Sequence, residues 1–443
     1  MNIRIRSHHL SPHQVLALAF AAVIAAGTLL VWLPISVQEG QRLSFLDALF
    51  TAVSAASVTG LTVTETGTTF SPFGQIVILL LIQAGGIGYM TVTSMIALML
   101  GKRITLRERL VLKEAFNHPH TEGIVRLVRK VLVYSLIIEA CGALLFAFHW
   151  MNELPFGIAL YYGLFHAISV FNNAGFDLVG GFSPFAADLY FNLVSASLIF
   201  LGSVGFLVLS ELIEYRKTRR LSLHSKVVLS FSGALIAVGA AIICLFEYAN
   251  PATLAPMTFG QQWLAAFYQS VSLRSSGAGM LPVEEMRQAT QFFMAILMFI
   301  GAAPGSTGGG IKITTFAVML AAVYAMLRGR QDAELFRMRI DQVTVYKAIT
   351  VTMASIILVA FAVIVLCLTE DQPFLAILFE AVSAFSTTGF SMSVTSQLSA
   401  AGKIVLILLM FAGRLGPFAI VLALKRQNGQ QPYRYPEGKI ILG

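Results

Sequence analysis

The chain has 443 residues, of which 57% are hydrophobic and 12% charged, with a formal net charge of +8 and a mean hydropathy of +0.78. Soluble domains carry about 25% charged residues, so the composition excludes a soluble globular protein and implies a multi-pass chain in contact with membrane lipid. Its three cysteines, Cys141, Cys244 and Cys367, lie in apolar runs without metal-ligand spacing or a disulfide framework.

Residues 1–14 read as a short cytoplasmic terminus. The first apolar run, Val15 to Leu33, is long enough to cross a bilayer and reads as a span rather than a cleavable signal peptide. It opens repeat one (15–110), which continues with a short segment, Leu49 to Gly60, and a second run, Phe73 to Leu100. Repeat two (111–222) spans from Leu127 to Phe148, has its short segment at Leu164 to Gly175, and spans again from Leu189 to Leu212. Repeat three (223–335) spans from Val227 to Phe246, has a short segment ending at Gly277, and leaves by Phe292 to Leu327. Repeat four (336–426) spans from Ala348 to Leu368, has Leu378 to Gly389, and leaves by Ile404 to Leu424 before a tail at 427–443.

The short segments are copies of one another. Leu49-Phe-Thr-Ala-Val-Ser-Ala-Ala-Ser-Val-Thr-Gly60 and Leu378-Phe-Glu-Ala-Val-Ser-Ala-Phe-Ser-Thr-Thr-Gly389 share nine of twelve positions, and Leu164-Phe-His-Ala-Ile-Ser-Val-Phe-Asn-Asn-Ala-Gly175 shares six with the last. Gln269-Ser-Val-Ser-Leu-Arg-Ser-Ser-Gly277 aligns with one residue fewer before its glycine. The glycines are 115, 102 and 112 residues apart, which means four long repeats in one polypeptide. Each copy reads as a helix too short to span, followed by an extended strand in which glycine permits unusual backbone angles. Irregular backbone at membrane depth is tolerated where it is buried in protein or lines a water-filled cavity. Four such strands around one axis form a ring of carbonyl oxygens that can replace an ion's hydration shell. The predicted fold is therefore all-α and membrane-embedded, with four parallel helix–pore loop–helix repeats in pseudo-fourfold order around one central pore. The predicted ion-binding residues are Val58, Thr59 and Gly60; Asn173, Ala174 and Gly175; Ser275, Ser276 and Gly277; and Thr387, Thr388 and Gly389. Four re-entrant packing turns are the bland alternative, which suits a single copy better than four.

The second helices carry a repeat of their own: Gln83-Ala-Gly-Gly-Ile-Gly-Tyr89, Leu201-Gly-Ser-Val-Gly-Phe206, Ile300-Gly-Ala-Ala-Pro-Gly305 and Ala412-Gly-Arg-Leu-Gly-Pro417. Their first glycines follow the loop glycines by 25, 27, 24 and 24 residues, as close helix packing requires. The third departs. Gly301, Ala302, Ala303, Pro304, Gly305, Ser306, Thr307, Gly308, Gly309 and Gly310 cannot easily be helical, since interior glycine costs about 1 kcal/mol and proline about 3. A broken helix with a loop at mid-membrane is expected there. This segment, with Lys312 and Arg414, is the candidate gate. Gly305 to Lys312 superficially matches a phosphate loop, but Ile311 separates the last glycine from the lysine and no strand precedes it. Arg414 is an intramembrane ionisable residue, a functional candidate by default; its alternative is a pair with an acid or with helix carbonyls. Glu139 reads as a local structural pair, and His166 and Glu380 as supports behind their loops.

Charge sets the expected orientation. Arg4 and Arg6, Lys102 to Lys130, Arg216 to Lys226, Arg328 to Lys347 and Lys425 to Lys439 hold 24 of the 30 basic residues. Basic loops stay cytoplasmic, so both termini are expected inside the cytoplasmic membrane. No separate domain is available to carry a nucleic-acid role.

At these motifs the chain resembles the Trk/Ktr/HKT potassium transporter superfamily. Val58-Thr-Gly-Leu61, Asn173-Ala-Gly-Phe176, Ser275-Ser-Gly-Ala278 and Thr387-Thr-Gly-Phe390 look like its filters. Pro304 to Lys312 and Gly413-Arg-Leu-Gly-Pro417 are similar to its gating loop and pore arginine. The ending Tyr433-Arg-Tyr-Pro-Glu-Gly438 favours the Ktr branch. The resemblance implies K⁺ as the transported ion, with no organic cofactor on this chain and Na⁺ as an activator in some systems. It further implies a homodimer in a bacterial inner membrane, with one pore per subunit. Its implied partner is a cytosolic KtrA-type regulatory octamer that binds ATP or ADP. Two departures stand in the third filter: Ala278 replaces a large apolar residue, and Ser275-Ser276 replaces the usual Thr-Ala, which predicts looser backing there.

Three function classes compete at this point. The first is channel-like potassium uptake. The second is a sodium-coupled alternating-access transporter, for which parallel repeats argue poorly. The third is a membrane enzyme, which would need paired intramembrane acids, a Ser/His set or a His-rich motif, none of which is evident in the sequence.

Overall fold

The computed structural model describes residues 12–88, 110–112 and 123–416. The far half of the Phe73–Leu100 run, most of the basic stretch from Lys102, the end of the Ile404–Leu424 run, Pro417 and the Tyr433–Gly438 ending lie outside the described residues.

Each repeat opens with a long helix: α1 (Pro12–Trp32), α4 (Ile124–Trp150), α8 (Leu223–Glu247) and α12 (Gln342–Thr369). All four are long and apolar enough to cross a membrane. The second element is a short helix: α2 (Phe45–Ser57), α5 (Phe156–Phe171), α9 (Phe259–Ser272) or α13 (Phe374–Ser386). At 1.5 Å per residue these are about 20–24 Å long, short of the ~30 Å hydrocarbon core. Local sequence fixes where they begin. Ser44 accepts a hydrogen bond from the Asp47 N–H to cap α2, Thr258 and Gln261 form a capping box on α9, and Pro155 and Pro373 precede α5 and α13. Most of α2 and α13 is buried, Phe50 to Ser57 and Phe379 to Ser386 without exception. A helix that is apolar or small all round belongs in an interior.

The third element of each repeat packs back on the second: α3 (Pro72–Gly86), α6 (Leu189–Ser203), α10 (Gln288–Phe299) and α14 (Ala400–Leu415). The first glycine of each motif is where the backbones meet. A Cβ on Gly85 would stand 2.0 Å from the Ala56 carbonyl oxygen, on Gly202 1.9 Å from that of Phe171, and on Gly413 1.7 Å from that of Phe385. All three carbonyls lie four residues before the loop glycine of the same repeat. In repeat three the corresponding Gly301 faces the Gly309 carbonyl instead, at 2.2 Å.

The exit helices correct the expected continuous runs. In repeat two the run Leu189–Leu212 breaks at Val204–Gly205, and α6 meets α7 (Phe206–Thr218) at a bend of 104°. Gly205 has φ +90°; Gly88 and Gly416, three residues after Gly85 and Gly413, have φ +91° and +83°. A positive φ lies outside the helical range, so α3, α6 and α14 each end one or two residues before this glycine. Repeat three carries Pro304 at that place, and its break widens into the non-helical stretch before α11 (Ile313–Leu327). The broken third helix was expected; the break between α6 and α7 and the ends of α3 and α14 at these glycines were not. A second departure from all-α is a two-residue hairpin between α11 and α12, β1 (Glu334–Leu335) paired with β2 (Met338–Arg339).

Candidate ion-binding ring

The four loop glycines close a circle. A Cβ on Gly60 would stand 2.3 Å from the carbonyl oxygen of Ala174, one on Gly175 2.6 Å from that of Ser276, one on Gly277 2.3 Å from that of Thr388, and one on Gly389 2.1 Å from that of Thr59. Each glycine thus abuts the residue before the next glycine, in the order of the repeats, and the last returns to the first. Thr59, Ala174, Ser276 and Thr388 are buried, whereas the four glycines are partly accessible.

The backbone around each glycine is bent the same way. Val58, Asn173, Ser275 and Thr387, two residues earlier, have φ of +59°, +60°, +93° and +48°, and the glycines themselves +90°, +67°, +64° and +92°. The residue between has no such angle. This is not the extended strand expected from the sequence, in which successive carbonyls point to opposite sides. Left-handed φ is uncommon for any side chain and an outlier for β-branched Val58 and Thr387. Among the described residues, no N–H or O–H donates to the carbonyls of the twelve predicted ion-binding residues, except those of Thr387 and Gly277. Buried carbonyls left without donors call for an explanation, and a cation is one.

A hydroxyl in the preceding helix holds each segment. The Gly60 and Gly389 N–H groups donate to Ser54 Oγ and Ser383 Oγ, both at 3.1 Å. Ser169 Oγ donates to the Phe176 carbonyl at 2.6 Å and Ser272 Oγ to the Ala278 carbonyl at 2.9 Å. Ser272 therefore stands where Ser169 does, which confirms the one-residue gap in the third copy and shows a tether behind Ala278. Three residues closer to the start of each helix, His166 Nε2 accepts from the Leu178 N–H (3.3 Å) and Glu380 Oε1 from the Met392 N–H (3.0 Å). Both hold the third residue after the glycine, so the expected support behind the loops is present.

The segment 301–310 rests on this ring at one end and on repeat two at the other. Gly309 N–H donates to Ser275 Oγ (3.1 Å), and Cβ atoms on Gly308, Gly309 and Gly310 would stand 2.7 Å from Ser275, 2.4 Å from Thr387 and 3.2 Å from Ser386 side-chain atoms. Asn173 Nδ2 donates to Thr307 Oγ1 (2.6 Å). Ala302 pairs with both ends of the loop, its N–H to the Gly309 carbonyl and its carbonyl to the Ile313 N–H. Ala303, Pro304 and Gly305 lie against the break in repeat two: Ala303 N–H donates to Ser203 O, Phe206 N–H to Gly305 O, and Gly205 faces the Pro304 carbonyl. Ser306 Oγ caps the Ala303 carbonyl. Lys312 Nζ donates to the Gly308 carbonyl at 2.6 Å. Arg414 donates to the carbonyls of Thr307 and Gly85, and to that of Gly86 at 3.4 Å. These partners are backbone carbonyls, one of the pairings weighed for it from the sequence.

Glu139 pairs with no cation among the described residues. It accepts from Gln83 Nε2 (2.8 and 3.0 Å) and Asn172 Nδ2 (2.9 Å), joining α4, α3 and the start of the second ring segment. Arg274, directly before Ser275, is buried with no hydrogen-bond partner for any guanidinium nitrogen among the described residues. The local structural pair expected for Glu139 is corrected to neutral amide partners 56 and 33 positions away, and the burial of Arg274, which sits among serines in the sequence, was not legible there.

The family model for TrkH, a cation transport protein, matches residues 5–431. The chain is 41% identical over 434 residues to the Ktr system potassium uptake protein B of Bacillus subtilis, covering 98% of this chain and 97% of that one. It is 36% identical to the protein of the same name from Vibrio alginolyticus, covering 97% and 94%. It is also 36% identical to the potassium/sodium uptake protein NtpJ of Enterococcus hirae, covering 100% and 99%. Among solved structures, the potassium transporter TrkH from Vibrio parahaemolyticus has the same fold, with a TM-score of 0.73 at 16% identity, over 96% of this chain and 87% of that one.

Proposed function

The chain belongs to the TrkH family of cation transport proteins, and from that membership we propose that it is the membrane subunit of a KtrB-type potassium uptake system that works as a channel. K⁺ would pass through the closed ring of carbonyl oxygens at the four glycines, with the four repeats arranged in parallel around one pore. The cycle Gly60–Gly175–Gly277–Gly389 carries the proposal. In this reading it sets carbonyls without internal donors around the ion path, an arrangement that can stand in for the water shell of a desolvated ion. The names of three relatives, all of which include potassium uptake, favour K⁺ as the ion.

The segment 301–310 serves as the gate in this reading. It lies against three of the four ring segments and is held there by Lys312, Arg414, Asn173 and Ser275. A cytosolic nucleotide-binding octamer acting on a homodimer of this chain would move it. The basic loops favour a reading with both termini, and hence that ring, on the cytoplasmic side of a bacterial inner membrane. With the native cysteines replaced, cysteines at Arg219 or Arg337 should then resist an impermeant thiol reagent added outside intact cells, and one at Glu153 should label; the reverse would overturn the orientation.

Purified protein in liposomes tests the transport reading. A K⁺ gradient alone should drive ⁸⁶Rb⁺ uptake, with no requirement for a Na⁺ gradient. Uptake only when a Na⁺ gradient is imposed would favour a sodium-coupled alternating-access transporter. Stimulation by equal Na⁺ on both sides would identify Na⁺ as an activator.

A further inference from the structure

The hydroxyl of Ser275 stands at the junction of the ring and the broken segment. Ser275 is fully buried with φ +93°. Its Oγ accepts from the Gly309 N–H at 3.1 Å and donates to the Thr387 carbonyl at 3.0 Å, with the Ser386 carbonyl at 3.3 Å. A hydroxyl has a single proton and a free rotor. Acceptance from Gly309 therefore turns that proton toward the Ser386 and Thr387 carbonyls, of which Thr387 is the nearer. The Thr387 carbonyl is taken up as a result. The corresponding carbonyls of Val58, Asn173 and Ser275 receive no donor among the described residues. The fit is close: a Cβ on Gly308 would stand 2.7 Å from both Cβ and Oγ of Ser275. No sister residue repeats the contact. Val58 has no polar atom, Asn173 reaches Thr307, and Thr387 Oγ1 has no partner among the described residues.

We infer that Ser275 sets ion affinity and ties ion occupancy to the position of the 301–310 segment. With the segment seated, its hydroxyl shares the Thr387 carbonyl with any ion and weakens that level of the ring. Withdrawal of Gly309 frees the hydroxyl to rotate and returns that carbonyl to the ion. A carbonyl already accepting a hydrogen bond offers less negative charge to a cation, so binding with the segment seated is weaker than the ring alone would give. The inference rests on the filter and gate reading proposed above.

The test uses the full chain in detergent and reads the K⁺ concentration that gives half of the K⁺-dependent rise in Tm. In Ser275→Ala this concentration should fall about five-fold, the scale of one hydrogen bond. Ser275→Thr, which keeps the hydroxyl, should match the wild type. Ser275→Cys, a far weaker donor, should follow Ser275→Ala and serves as the readout where the alanine variant does not fold. In a background lacking Ala303 to Gly309, Ser275→Ala should make no difference. Equal K⁺ dependence in the wild type and the hydroxyl-free variants would overturn the inference alone. So would a threonine variant that behaves like alanine, or a difference that persists without the segment. A wild type with no K⁺-dependent shift, tested against choline, would overturn the filter reading itself and this inference with it.

Discussion

A side chain on any of the four ring glycines would have to occupy space already taken by a neighbouring carbonyl. At Gly60 the φ of +90° adds backbone strain to the 2.3 Å approach of the Ala174 oxygen. Strain of this kind is worth about 1–3 kcal/mol, and 1.4 kcal/mol is tenfold in a binding ratio. Gly60→Ser should therefore lower the preference for K⁺ over Na⁺ by on the order of tenfold. Na⁺ competition against ⁸⁶Rb⁺ uptake in a transport-deficient strain measures it, and unchanged competition would remove Gly60 from the filter. The glycines could be found from sequence because four copies share one column. The same alignment contains Ser54, Ser169 and Ser383 in a second shared column, so their tethers were visible as a pattern without a role. The left-handed Val58 and Thr387 could not be found that way. β-branched residues avoid those angles when free, and only the packed fold imposes them.

Helix termination divides what the sequence reveals at the next scale. Gly85, Gly202 and Gly413 were legible as sites of close packing, and each meets the helix of its own repeat. Gly413→Ala should lower stability by about 1–3 kcal/mol, the cost of overpacking, because its Cβ would stand 1.7 Å from the Phe385 carbonyl oxygen. Gly233 in α8 has nothing within 4 Å of a Cβ, so Gly233→Ala should be neutral or stabilising. Thermal unfolding in detergent distinguishes the two, and equal Tm values would contradict the packing argument. The break at Gly205 and the helix ends at Gly88 and Gly416 were not legible. Hydropathy continues across them, and a glycine in an apolar run serves packing as readily as termination. Only the proline and glycine density of 301–310 made a break unavoidable. Deleting Ala303 to Gly309 removes the seat on Asn173, Ser275 and Arg414 together. Potassium flux should rise and become largely independent of the proposed regulatory ring. A folded, inserted variant with unchanged or lower flux would reduce the segment to a packing break.

At the scale of the molecule, repeat spacing predicts four units but not how the chain closes on itself. That closure joins residues more than 300 positions apart, beyond the reach of any local pattern. Gly389 meets Thr59 at the ring. Nearer the start of α2, Lys403 Nζ of α14 lies 2.7 Å from Asp47 Oδ1, a pair separated by 356 positions. Both side chains are largely buried, at 17% and 21% exposure, so the pair is shielded from salt more than a surface bridge is. Removing one partner strands the other charge. Asp47→Asn or Lys403→Met alone should cost stability, approaching the 3–5 kcal/mol of a fully buried pair only as an upper limit. Asp47→Leu with Lys403→Met should recover most of it, because no uncompensated charge remains. Thermal unfolding in detergent reads stability, and K⁺-dependent stabilisation reads the ring. If the pair also holds repeats one and four in register, the single variants should bind K⁺ more weakly and the double variant should regain affinity with stability. Restored stability without restored K⁺ binding would place the pair in the fold but outside the closure of the ring.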